Sequence, residues 1–195
     1  MPPKPKFTRE EIVSAALGVV SRKGVDALTA KELGDALGSS ARPIFTIFRS
    51  MKELQDDVRT AAMQRFEAYM PAGVSGMPIF KQIGMKMVLF GAEEPKLFQL
   101  LFMQESRRAA RFDDVFAELG PTADLCIDAI QQDYALSPTD ARTLFEHVWI
   151  YTFGVGALCA TRVCRFSAEE LGSMLSAEFH AMMLLVKSGS REVTP

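Results

Sequence analysis

Between Phe7 and Gly24 the apolar residues Ile12, Ala15, Ala16, Val19 and Val20 recur at the three- and four-residue spacing that places them on one face of an α-helix. Phe7 and Ile12 flank Thr8 at the spacing of a hydrophobic staple, and Gly24 can adopt the positive φ that ends a helix. The same grammar recurs further on. A Ser or Thr followed three positions later by an acid can cap the first free N–H groups of a helix and be capped in return. Five such pairs occur: Thr8 with Glu11, Thr29 with Glu32, Ser50 with Glu53, Ser137 with Asp140, and Ser167 with Glu170. No alternating strand pattern competes, so the sequence predicts an all-α protein.

The second helix begins at Thr29, turns Leu33 and Leu37 inward and ends near Gly38. A very short third helix is expected from about 40 to 48, and a long fourth from Ser50 to about Met70. The stretch PAGVSGMP, 71–78, breaks the pattern with two prolines and two glycines. Beyond it the pattern predicts helices near 78–92, 95–106, 111–134, 138–164 and 168–187, with loose ends before the first helix and from Ser188 onward. Leu33 and Leu37 can meet Ile44 and Phe48, an i,i+4 pair facing a core. Arg42 and Thr46, another such pair, then point outward, with Ala41 and Phe45 on a flank. A helix-turn-helix that lays its second helix in a DNA groove needs this division of labour. A plain helical hairpin inside a bundle satisfies the spacing equally well.

At 195 residues and 48% hydrophobic, the chain can bury one or two cores without covalent staples. Its net charge of −2 hides an asymmetry: residues 1–65 hold 11 Lys and Arg against 8 Asp and Glu, and residues 66–195 hold 11 against 16. The positive excess suits a segment that meets phosphates, although uneven surface charge accounts for it as well. Cys126, Cys159 and Cys164 form no CxxC pair and read as reduced, packed thiols. The opening MPPKPKFTREE lacks the apolar run of a secretory signal, and the longest uncharged run, 147–161, is shorter than the roughly 20 residues of a membrane span. A cytoplasmic protein with no membrane partner is expected. His147 and His180 each lack a Glu three positions before them, and no HExxH, GxSxG, P-loop or Rossmann glycine pattern occurs. The expectation is therefore no catalytic residue, no metal and no cofactor.

The segments IVSAAL, GVDALTAKELGDALGSS, PIFTIF and SMKEL, in order over about residues 7–58, resemble the N-terminal signature of TetR/AcrR-type transcriptional regulators. The resemblance implies a three-helix helix-turn-helix domain over 1–52, joined by the long helix to a helical effector-binding and dimerisation domain over 53–195. It implies that Thr29 caps its helix near a phosphate and that Lys31 reaches the DNA backbone or a base edge. Ser39 and Ser40 would open the recognition helix, where hydroxyls and N–H groups meet phosphate. Ala41, Arg42, Pro43, Phe45 and Thr46 would lie at or near the groove, with Arg42 the first choice for guanine. The chain departs from the family at Phe45, Ile47 and Met51, where Tyr, His and Lys are usual, and Arg49 and Lys52 are placed to take over the phosphate contacts.

The remaining two thirds are rich in Met, Phe and Leu, a pattern that reads first as core. The resemblance implies a small, apolar effector there, with Phe102, Trp149 and Phe153 lining its pocket and Arg107 or Arg108 anchoring an anionic group. It also implies that the last two long helices, with the small residues Gly154, Gly156, Ala157 and Ala160, pair with their copies in a homodimer; a bundle within one chain would use the same faces. The expected function is a one-component regulator, in the sense of a repressor, binding double-stranded operator DNA under the control of a small-molecule effector. The alternative is a dimeric helical ligand-binding protein that has lost specific DNA binding, which Phe45, Ile47 and Met51 favour.

Overall fold

All five caps start helices. Thr8, Thr29, Ser50, Ser137 and Ser167 each accept a hydrogen bond from the backbone N–H of the acid three positions on. The reciprocal half forms only at Thr8 and Ser167, because elsewhere the acid has other partners. Glu32 pairs with Lys23 at 2.6 Å, Glu53 accepts from Arg9 and from the Arg49 N–H, and the shorter Asp140 accepts the Ser137 hydroxyl. The computed structural model describes residues 6–69, 76–104, 111, 114 and 121–189. Among these the chain forms eight α-helices and no strand: α1 Arg9–Lys23, α2 Ala30–Ala36, α3 Met51–Ala68, α4 Ile79–Glu93, α5 Pro95–Phe102, α6 Pro121–Tyr134, α7 Pro138–Ala160 and α8 Ala168–Ser188.

Three boundaries differ from the sequence reading, and one of them is the helix expected over 95–106, which ends at Phe102. The expected helix over 138–164 stops at Ala160. There the Arg162 N–H donates to Cys159 O at 3.0 Å and the Val163 N–H to Leu158 O at 3.1 Å, with Arg162 at φ 60°. This is the Schellman stop, carried here by an arginine in the left-handed region rather than by glycine. The expected short helix over 40–48 is a single 3-10 turn, Ile44–Thr46. Most of the predicted 111–120 and 71–75 lies outside the described residues.

The chain packs as two units. The first comprises Met1–Tyr69 with Glu93–Gln104, so it takes in all of α3 and α5 and extends past residue 52. Ile12, Ala16, Val19 and Val20 of α1 are buried, as are Leu33, Ile44, Phe48, Leu54, Val58, Leu97 and Phe98. Polar ties seat α5. The Arg59 guanidinium donates to Leu100 O at 2.6 Å and Leu101 O at 2.9 Å, satisfying carbonyls at its C-terminal end. At its N-cap, Glu94 accepts the Ser21 hydroxyl at 3.1 Å and pairs with Arg65. Phe102 packs edge-on to Phe66, with ring centroids 5.2 Å apart.

The second unit comprises Met70–Ala92 with Glu105–Pro195. Its core gathers Phe80 from α4, Cys126 and Ile130 from α6, Leu144, Phe145 and Val148 from α7, and Phe179 and Met182 from α8. Among the described residues the one buried polar side chain, Thr152, donates its hydroxyl to Val148 O at 2.6 Å, which spares it an unsatisfied group. Helices α4 and α7 come close at Gly91, where an added Cβ would sit 2.8 Å from Gly156 O. Gly156 is thus spent on a contact within the chain, whereas Gly154 faces open space. No helix of the described residues is long and apolar enough to cross a membrane.

Candidate nucleic-acid interface

Helix α2 ends on a second Schellman stop, with Gly38 at φ 59°. The Ser39 N–H donates to Gly34 O at 2.9 Å and the Gly38 N–H to Asp35 O at 3.1 Å. This turn brings the next segment back across α2, so closely that a Cβ on Gly34 would lie 3.0 Å from Ser39 O and 3.2 Å from Ala41 N. Glycine at 34 is what permits the crossing.

Residues 41–47 then run through three-residue hydrogen bonds: Ile44 N–H to Ala41 O at 3.1 Å, Thr46 N–H to Pro43 O at 3.3 Å, and Ile47 N–H to Ile44 O at 3.1 Å. Three features of the sequence shorten the expected helix. Pro43 has no N–H to donate and disfavours helical backbone at Arg42. Ile44, Thr46 and Ile47 are β-branched. The Thr46 hydroxyl donates to Pro43 O at 2.6 Å, competing for the same carbonyl. The predicted inner pair nonetheless holds, with Ile44 0% and Phe48 1% exposed.

The other predicted residues distribute around this turn. Thr29 is an exposed N-cap and Lys31 is exposed on the first turn of α2. Ser40, Arg42, Phe45, Thr46, Arg49 and Lys52 are exposed; Ser39, Ala41 and Pro43 are half-buried. Lys6 Nζ donates to the Ser39 hydroxyl at 3.1 Å. Lys52 lies 3.6 Å from Asp56, a strongly exposed pair worth little. Among the described residues neither Lys31 nor Arg42 is taken up in an ion pair. Of the three apolar residues that depart from the expected pattern, Ile47 and Met51 are half-buried and Phe45 is exposed.

Sequence reasoning missed Arg9. Its guanidinium donates to Asp57 at 2.7 Å and Glu53 at 3.0 Å and lies 4.4 Å from the centre of the Phe48 ring. Glu53 also accepts the Arg49 N–H at 2.8 Å. One carboxylate thereby joins α1, α3 and the end of the turn over 41–47. The Arg49 N–H first, and Arg9 second, hold the Glu53 carboxyl below its ordinary value, while Asp57 and then Glu53 raise that of Arg9. The only local signal was the capping box at Ser50, which points Glu53 at its own N-cap rather than at an arginine 44 residues away.

No protein-family model matches the chain, and no curated protein matches it in sequence. Solved structures do match. A TetR-family transcriptional regulator protein from Vibrio parahaemolyticus superposes with a TM-score of 0.59 at 17% identity, over 90% of this chain and 98% of the other. A single-residue variant of TetR from Acinetobacter baumannii AYE, solved in complex with minocycline, superposes with a TM-score of 0.52 at 17% identity, over 95% and 98%. The chain has a TetR-type fold.

Within this TetR-type fold the residues expected around an effector fall in different units. On α7, Trp149 and Phe153 stack with centroids 5.4 Å apart and an interplanar angle of 21°, both half-buried in the second unit. Phe102 belongs to the first unit, among Phe66 and Phe98. Arg107 and Arg108 lie outside the described residues. A surface depression of about 400 Å³ at the start of α8 is lined by Phe166, Glu169, Glu170, Ser173 and Met174 and contains none of the expected residues.

Proposed function

We propose that the protein is a homodimeric, one-component transcriptional regulator of the cytoplasm, without enzymatic activity, that binds double-stranded operator DNA and acts as a repressor. The observation that carries this reading is the division of the turn after α2: Ile44 and Phe48 are spent on the core, while Lys31, Arg42, Phe45, Arg49 and Lys52 stand exposed around it. Thr29, Ser39, Ser40 and Thr46 complete the polar rim, with Ala41 and Pro43 close enough to the surface to bring the backbone near a phosphate. The reading head is residues 1–52, and 53–195 carry effector binding and dimerisation.

The dimer is supported by exposed apolar surface on α7 and α8. Ile150 and Leu158 on α7 are 46% and 38% exposed, with Gly154 between them at the same spacing, and Leu184 on α8 is 73% exposed. A twofold contact of these two helices with their copies would bury them and set two reading heads for two half-sites. The effector is a small, apolar molecule held near the Trp149–Phe153 stack of the second unit. Its binding favours a spacing of the two heads that no longer fits the operator, and the effect on affinity equals its preference between the two states.

A second reading, a dimeric ligand-binding protein without operator recognition, is favoured by the apolar Phe45, Ile47 and Met51. Fluorescence anisotropy on the DNA flanking its own gene, across a salt series and with Arg42→Ala alongside, separates the two. A regulator binds selectively with a steep salt slope and loses both affinity and selectivity with the substitution. Weak binding, equal on random DNA and indifferent to Arg42, favours the second reading.

A further inference from the structure

We propose that Phe45 is a base-reading residue that acts together with Arg42, so that the turn selects a guanine next to a thymine: Arg42 takes the guanine N7 and O6, and the Phe45 ring takes the thymine C5-methyl. The inference rests on the DNA-binding reading above and adds the chemistry of the contact. It comes from the shape of the turn. In an α-helix Arg42 would share a face with Thr46, four positions on. Here the N–H groups of Ile44, Thr46 and Ile47 each donate to the residue three before them, and in that geometry side chains three apart eclipse. The residue standing beside Arg42 is therefore Phe45.

Thr46 is withdrawn as a donor by its own bond to Pro43 O at 2.6 Å. Phe45 is 49% exposed on a turn where Ile44 and Phe48 are 0% and 1% exposed and Ile47 is half-buried. A phenyl ring offers no hydrogen bond to a phosphate, so what it can contribute at a reading surface is an apolar contact. Among the base-pair edges of the major groove the apolar group is the thymine methyl, and the acceptor pair that fits an arginine fork belongs to guanine. Arg42, exposed and without an ion pair among the described residues, is free to reach it. Two eclipsed side chains reach neighbouring bases, hence the prediction of one G next to one T.

The test is in vitro selection of random duplexes by the full-length protein, followed by anisotropy on the selected duplex with each thymine replaced in turn by deoxyuridine, which removes only the methyl group. The expected result is a shared G next to T, a loss of about fourfold at that one thymine, the worth of a buried methyl, and no loss in Phe45→Ala, which binds both duplexes alike. Arg42→Ala should relax the preference at the neighbouring guanine. Enrichment of a site to which Arg42→Ala binds less selectively, but at which no deoxyuridine matters, overturns the role of Phe45 and leaves the DNA-binding reading standing. Failure of any sequence to enrich overturns both. Phe45 is solvent-exposed, and a thermal melt of Phe45→Ala coincident with the native protein separates a lost contact from a lost fold.

Discussion

A single methyl group at Gly91 tests the packing of the second unit. Its Cβ would lie 2.8 Å from Gly156 O and 3.3 Å from Gly156 C and Cα. These atoms are backbone of α7, so relief requires α4 and α7 to part by a few tenths of an ångström along a packed seam. Overpacking of this kind costs about 1–3 kcal/mol, and the better helix propensity of alanine returns about 1 kcal/mol. Gly91→Ala should therefore lower stability by roughly 0–2 kcal/mol. Gly172 on α8 is the control, because a Cβ there meets nothing within 4 Å. Gly172→Ala should raise stability by about 0.5–1 kcal/mol from propensity alone. Urea unfolding followed by circular dichroism, with native protein and both variants at equal concentration, reads the difference as a shift in midpoint at constant slope. A Gly91→Ala midpoint at or above that of Gly172→Ala would show that the helices do not approach as described.

Two further outcomes follow from local geometry. Arg162 and Ala135 hold positive φ, 60° and 52°, just past the ends of α7 and α6; Arg162→Gly and Ala135→Gly should each stabilise by about 0.5–1 kcal/mol, seen as a higher melting temperature, and a lower one would contradict the assigned backbone. The Glu53 carboxyl is held below its ordinary 4.5, by the Arg49 N–H and then by Arg9. A carboxyl with a depressed folded pKa contributes stability that is present above the unfolded value and lost as pH falls through the folded one. The urea midpoint should thus fall less between pH 7 and pH 3 in Glu53→Gln than in the native protein, and parallel pH profiles would remove Glu53 from the cluster.

The limits of the sequence reading follow from the range of the interactions involved. Where a helix begins is decided by a hydroxyl and an N–H three residues apart, so Thr8, Thr29, Ser50, Ser137 and Ser167 could be read directly. The inward assignment of Ile44 and Phe48 depended only on their four-residue spacing, which survives the change from helix to 3-10 turn because the Phe48 N–H still reaches Ile44 O at 2.9 Å. The outward pair, Arg42 and Thr46, is exposed as its spacing implied, but the bond of the Thr46 hydroxyl to Pro43 O was not legible from that spacing. Pro43 was visible in the sequence; its effect on the residues around it, in competition with the burial of Ile44 and Phe48, was not.

Local chemistry within a turn or two thus determined the all-α class, the helix starts, the apolar faces and the position of a candidate reading segment. Tertiary structure alone decided the rest. It brought Arg9 to Glu53 and Asp57 across 44 and 48 residues, seated α5 against α1 and α3 through Glu94 and Arg59, and spent Gly156 on Gly91. Each of these contacts joins segments far apart in the chain. Its free energy exists only after a long loop has closed, and no residue's neighbours in sequence carry a record of it.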